Sequence, residues 1–167
     1  VNVVQGWGMT ETSPLATANL RTKEMEAMPK EEMYKLQTKQ GKPVYGVELK
    51  IVDDDDKRLP EDGDAFGRLL IRGPWVNKRY YKFEEDAVDA DGWFDTGDIS
   101  SIDPAGYMTI VDRAKDVIKS GGEWISSVDL ENVAQGHPDV MQACVIGVAH
   151  PKWDERPLLL IVAAGDK

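Results

Sequence analysis

Hydrophobic residues come in short runs separated by Gly, Pro and Asp, a spacing that predicts strands joined by turns with little helix. Residues 1–4 (Val-Asn-Val-Val) read as a short strand entering a Gly6-Trp7-Gly8 turn. Residues 20–40 are polar and Met-rich with Pro29 among them, which predicts loop and short helix. Residues 47–52 alternate towards period 2, residues 68–72 give a second strand, and residues 106–111 give another. Between the first two lie Asp53-Asp54-Asp55-Asp56, Pro60, Gly63 and Gly67. That stretch reads as a solvated loop rather than a cation site, because four like charges repel and no ordered ligand spacing follows them.

After Arg113 the pattern changes. Val117-Ile118-Lys119 and Trp124-Ile125 flank Gly121-Gly122, the signature of a hairpin closed by a glycine turn. Ser126 fits an N-cap with Asp129 as the acid of a capping box, and the helix should run to about Gln135, ended by Gly136 with Pro138 beyond. Residues 141–148 and 157–164 then read as strands. The fold class is α+β, with a boundary close to Lys115: a β-rich part, 1–114, with a strand–turn motif and β-barrel-like strands, then a small hairpin–helix–strand–strand part, 115–167. Both ends begin or stop inside apolar runs, so the chain reads as part of a longer protein.

Composition narrows the function. Among 167 residues, 30 acids against 20 bases leave a net charge of −10, which argues against a nucleic-acid binder, since phosphate neutralisation needs clustered Lys and Arg. The one cysteine, Cys144, fits a reducing, cytoplasmic setting and excludes a disulfide framework. No apolar run approaches the roughly 20 residues of a membrane-spanning helix. His137, Cys144 and His150 do not have the look of a metal site, as Cys144 falls in an apolar strand pattern and the histidines in loops beside prolines. Strand edges left without neighbours make self-pairing an expected behaviour.

Three stretches hold candidate chemistry. In Gln5-Gly6-Trp7-Gly8-Met9-Thr10-Glu11-Thr12, glycines permit close backbone approach beside a hydroxyl suited to phosphate, a carboxylate suited to Mg²⁺ and an aromatic suited to stacking. An ordinary strand–turn would use the same residues, and no P-loop pattern is present. Gly92-Trp93-Phe94-Asp95-Thr96-Gly97-Asp98 reads as a glycine turn with an aspartate able to accept from both hydroxyls of a diol, or simply as a capped turn. Asp112-Arg113-Ala114-Lys115-Asp116 reads as a solvated linker or as a nucleotide-contacting arginine followed by a hinge.

These stretches, with Gly67-Arg68-Leu69-Leu70-Ile71-Arg72-Gly73 and the run from Asp112 through Lys119-Ser120-Gly121-Gly122-Glu123-Trp124-Ile125, occur in an order that resembles the acyl-adenylate-forming superfamily. That superfamily includes acyl-CoA synthetases, luciferases and the adenylation domains of peptide synthetases. The resemblance implies the end of a large AMP-binding domain joined by a hinge to the start of a small C-terminal domain. It implies activation of a carboxylic acid by MgATP to an acyl-adenylate, then transfer to a thiol such as coenzyme A. By the same resemblance Thr10 meets the α-phosphate, Glu11 the Mg²⁺, and Trp7 the adenine, while Gly8 and Met9 border the acyl pocket. Asp98 takes the ribose, Arg113 the ribose or phosphate, and Lys115 is the hinge. Gly121, Gly122 and Trp124 line the passage of the CoA arm. The fatty-acid ligase branch is the nearest in pattern, with medium- or long-chain acids leading and small, aryl or sulfur-containing acids left open. A non-catalytic AMP-sensing module and a domain loading a carrier protein are the alternatives. The family's upstream phosphate loop and its C-terminal adenylation lysine are not in these residues, and Lys167 lacks the context of that lysine. The chain alone is therefore expected to be inactive.

Overall fold

The computed structural model describes residues 3–165 and divides between Ile110 and Val111 into two compact units. In the first unit, β1 (Gly6–Trp7), β2 (Thr17–Ala18) and β3 (Lys42–Pro43) form a three-stranded antiparallel sheet. Val1 and Asn2 lie outside the described residues, and Val3 and Val4 are exposed and irregular, so the strand expected over 1–4 begins instead at Gly6. The reason is register. Gly6 pairs with Ala18, and beyond that pair Asn19 N donates to Gln5 O at 2.8 Å without extending the ladder.

Between β2 and β3 stand two short helices, α1 (Lys23–Ala27) and α2 (Lys30–Gln37). Thr22 caps α1 by accepting from Met25 N. At the other end of the pair, buried Asn19 donates to Leu36 O and Lys39 O at 2.7 and 2.8 Å, tying the end of α2 to β2.

A four-stranded antiparallel meander follows: β4 (Glu48–Val52), β5 (Phe66–Arg72), β6 (Phe94–Ile102) and β7 (Met108–Arg113). Its inner face packs Ile51, Leu69, Ile71, Phe94, Ile102 and Met108 into the main core, with Trp7, Met9 and Ile110 against it. The four aspartates do form the β4–β5 loop. Asp53 accepts from Asp55 N and Lys57 N, and Arg68 pairs with Asp56 and Asp95, so local hydrogen bonds and one arginine offset the repulsion. Gly67 lies inside β5 rather than in that loop.

The glycine turn expected over residues 92–98 is shorter than the pattern indicated. Asp89 closes it by accepting from Asp91 N and Trp93 N, and from Phe94 the chain is a nine-residue strand. The polar Asp95-Thr96-Gly97-Asp98 is absorbed as a bulge. Between the pairs Arg68↔Ile99 and Leu70↔Asp95, β5 advances two residues while β6 advances four. Gly97 takes a φ of 71° there.

β7 carries the chain into the second unit. That unit holds β8 (Ile118–Ser120), β9 (Glu123–Ile125), α3 (Ser127–Gln135), β10 (Val140–His150) and β11 (Asp154–Ala163), in the sheet order β10-β11-β8-β9. The β8–β9 hairpin turns on Gly121 and Gly122, at φ 61° and 87°. Ser126 caps α3, its hydroxyl accepting from Asp129 N at 3.1 Å. The long β10–β11 pair leaves Leu158, Leu159, Leu160, Ile161 and Val162 each about half exposed. No helix among the described residues is long and apolar enough to cross a membrane.

Candidate functional site

Trp7 on β1 leads into a 3₁₀ turn, Thr10–Thr12, that presents the first candidate groups. The turn is anchored by Thr12, which is fully buried and whose hydroxyl accepts from Met9 N at 2.8 Å and donates to Pro14 O at 2.6 Å. Thr10 is therefore left exposed and Glu11 half-buried on the outer side of the turn. Both line a cleft of about 490 Å³ whose opposite wall is the segment from Pro74 to Tyr81. Across it, Tyr80 Oη donates to Glu11 Oε1 at 2.8 Å and Asn77 N donates to Glu11 O at 2.7 Å. The Glu11 carboxylate, with burial adding to it, holds the Tyr80 phenol above its ordinary pKa. Lys78 and Arg79 in the same wall both pair with Asp86, at 3.4 and 2.6 Å.

Gly8 has a steric reason to be glycine: a Cβ there would lie 1.8 Å from Pro14 O. Trp7 is half-buried and packs against the core cluster. Asp98 sits in the β6 bulge, almost wholly buried, with its backbone N–H donating to Thr96 Oγ1 at 3.1 Å. Thr96 in turn donates to Leu69 O at 3.0 Å, fixing the bulge to β5. Asp98 lies outside the cleft that Thr10 and Glu11 line.

In the second unit, Arg113 and Lys115 are exposed and line a cleft of about 500 Å³ with Asp112, Glu131, Cys144 and Glu155 among its walls. Buried Asp112 fixes the start of this segment. Its Oδ2 accepts from Ser127 N at 2.7 Å and Ser127 Oγ at 2.8 Å, and its Oδ1 accepts from Arg113 N at 2.8 Å. At the hairpin tip a Cβ on Gly121 would meet the Trp153 ring at 2.7 Å, whereas one on Gly122 would meet nothing within 4 Å. Trp124 is half-buried and carries Lys119 Nζ 4.8 Å from its ring centroid.

The structure thus brings Thr10 and Glu11 to one cleft, Arg113 and Lys115 to another, and Gly121, Gly122 and Trp124 to one hairpin. His137 and His150 each accept through Nδ1 from a backbone N–H two residues on, so both serve local turns. No group of three His, Cys, Asp or Glu side chains suited to a metal occurs among the described residues. The donor set at the first cleft fits a Mg²⁺ held mainly by nucleotide phosphates, which needs only one or two hard oxygens from protein. Sequence reasoning passed over residues 74–81, the wall that meets Glu11. The available signal was Lys78-Arg79-Tyr80-Tyr81, cations and phenols crowded behind Gly73-Pro74.

Comparison with known proteins gives this geometry a family. The AMP-binding enzyme family matches residues 1–81, and the AMP-binding enzyme C-terminal domain matches residues 129–167. The chain belongs to the AMP-binding enzymes. It is 57% identical over 164 residues to the 3-methylmercaptopropionyl-CoA ligase of Ruegeria lacuscaerulensis, covering 98% of this chain and 30% of that protein. It is 53% identical over 162 residues to the medium-chain-fatty-acid–CoA ligase of Ectopseudomonas oleovorans, covering 97% and 30%. Among solved structures it matches the o-succinylbenzoate CoA synthetase of Bacillus subtilis in complex with its acyl-adenylate intermediate, at a TM-score of 0.76 and 32% identity over 98% of this chain and 32% of that one. The chain spans about three tenths of the length of the curated relatives it matches.

Proposed function

We propose that this chain is a segment of a cytoplasmic ATP-dependent carboxylic acid–CoA ligase acting on fatty acids, with the domain joint at Lys115. The observation that carries the reading is the pairing of Thr10 and Glu11 on one wall of a cleft, in a chain more than half identical to two CoA ligases across nearly all its length. The acid's carboxylate attacks the α-phosphorus of ATP and pyrophosphate leaves. The thiol of coenzyme A then attacks the acyl carbon and AMP leaves.

Thr10 donates its hydroxyl to an α-phosphate oxygen, and Glu11 supplies the protein carboxylate to Mg²⁺. When bound, that ion neutralises charge on the phosphates during the displacement. Trp7 stands at the adenine position and Gly8 at the rim of the acyl pocket. Asp98 accepts from the ribose hydroxyls, which fixes the nucleotide and hence the α-phosphorus, and Arg113 contacts ribose or phosphate. Lys115 is the hinge that lets the small domain serve first adenylation and then thioester formation. Gly121, Gly122 and Trp124 line the passage of the pantetheine arm, where an open, side-chain-free turn at Gly122 leaves room for it.

The test is mass-spectrometric detection of acyl-AMP and acyl-CoA from the full-length protein across fatty acids of increasing length and 3-methylmercaptopropionate. Formation of both species from a fatty acid is expected. Failure with every acid would overturn the ligase reading, and turnover of methylmercaptopropionate alone would overturn the substrate class.

A further inference from the structure

We propose that Tyr80 is a positioning residue for Glu11: its phenol O–H holds one carboxylate oxygen and so presents the other to a divalent cation at the nucleotide phosphates. The inference rests on the reading of Glu11 as the metal-associated carboxylate.

Three observations carry it. Residue 11 is gripped at side chain and main chain by one short segment, through Tyr80 Oη to Glu11 Oε1 at 2.8 Å and Asn77 N to Glu11 O at 2.7 Å. The Tyr80 ring is itself held, edge-on to Phe83 with centroids 6.0 Å apart, above a turn in which Phe83 N donates to Tyr80 O at 3.1 Å. Lys78 and Arg79, the two cations that line the cleft beside Tyr80, are both engaged by Asp86. A cation against Glu11 would cancel the charge that attracts a metal ion. A neutral phenol orients the carboxylate and leaves its charge intact, so Asp86 contributes by keeping its two cations occupied.

The experiment uses the full-length protein with α,β-methylene-ATP, in which the bond cleaved by adenylation is blocked, and Mn²⁺ as the probe, read by electron paramagnetic resonance. Steady-state Mg²⁺ dependence and KM for acid and CoA are measured in parallel. Tyr80→Phe should weaken Mn²⁺ binding in the ternary complex by roughly three- to tenfold, the loss of one hydrogen bond. The Mg²⁺ needed for half-maximal rate should rise by a similar factor, with KM for acid and CoA unchanged. Tyr80→Lys, which places a cation against Glu11, should weaken Mn²⁺ further. Glu11→Gln should weaken it most, and adding Tyr80→Phe to Glu11→Gln should change nothing more. Normal Mn²⁺ affinity in Tyr80→Phe or Tyr80→Lys, beside a weakened Glu11→Gln, would overturn the role of Tyr80 alone. Normal affinity in Glu11→Gln would overturn the assignment of Glu11 beneath it.

Discussion

Glycines 8 and 122 are both constrained, for different physical reasons, and substitution separates them. A Cβ on Gly8 overlaps the Pro14 backbone, which cannot move aside as a flexible side chain can. Gly8→Ala should therefore lower stability by about 1–3 kcal/mol, read as a shift of the urea midpoint at constant slope. Gly122 has open space around it but a φ of 87°. There Ala should cost about 1–2 kcal/mol through backbone conformation alone, and Gly122→Asn should recover much of it, because Asn tolerates the left-handed region. The ribose contact proposed for Asp98 is tested by binding. Asp98→Ala should weaken AMP binding to the full-length protein by roughly 1.5–3 kcal/mol, the value of a hydrogen bond to a charged group, measured by calorimetry. An unchanged dissociation constant would remove Asp98 from the ribose site.

At the scale of elements, what was legible in the sequence was what is locally encoded. The β8–β9 hairpin announces itself in Gly121-Gly122, and the start of α3 in Ser126 with Asp129, because turn and cap chemistry is decided within a few residues. The strand β6 was obscured, since Asp95, Thr96, Gly97 and Asp98 interrupt its alternation and only the pairing with β5 reveals them as a bulge. The wall of residues 74–81 was obscured for another reason: Tyr80 meets Glu11 across 69 positions of sequence. The β6–β7 turn combines both, closed locally by Asp103 and tied from a distance by Lys39. Asp103 Oδ1 accepts from Ala105 N and Tyr107 N, and its Oδ2 accepts from Lys39 Nζ at 2.6 Å. Burial pushes this carboxyl up, but Lys39 and the backbone donors outweigh it and hold the group below its ordinary value. A depressed folded pKa means stability that is fully present above the ordinary aspartate value of about 4 and is lost as pH falls through the folded one. Asp103→Asn should thus flatten the acid limb of stability against pH, followed by urea denaturation below about pH 4. If the variant keeps the wild-type slope, the turn draws nothing from the charge.

At the scale of the molecule, the second unit shows water an apolar strand pair. Leu158 lies opposite Ile146 and Leu160 opposite Cys144, and of these Leu158, Leu160 and Ile146 are each roughly half exposed. Apolar strands with this much open surface favour association. The 167-residue chain should therefore self-associate with rising concentration in analytical ultracentrifugation, and Leu160→Lys should return it towards monomer without loss of its circular-dichroism signal. A wild-type chain that stays monomeric at high concentration would show that these strands are tolerated bare.

The bulge in β6 sets a rule for how the length of this protein can change. Its two surplus residues form an even number, so Phe94 before it and Ile102 after it both point into the same core. Removing one residue there would turn half the strand inside out, whereas removing Thr96 and Gly97 together would keep every apolar side chain facing inward. Such a two-residue deletion is expected to keep the strand's facing while removing the bulge that carries Asp98, at the cost of the Thr96 bond to Leu69 O.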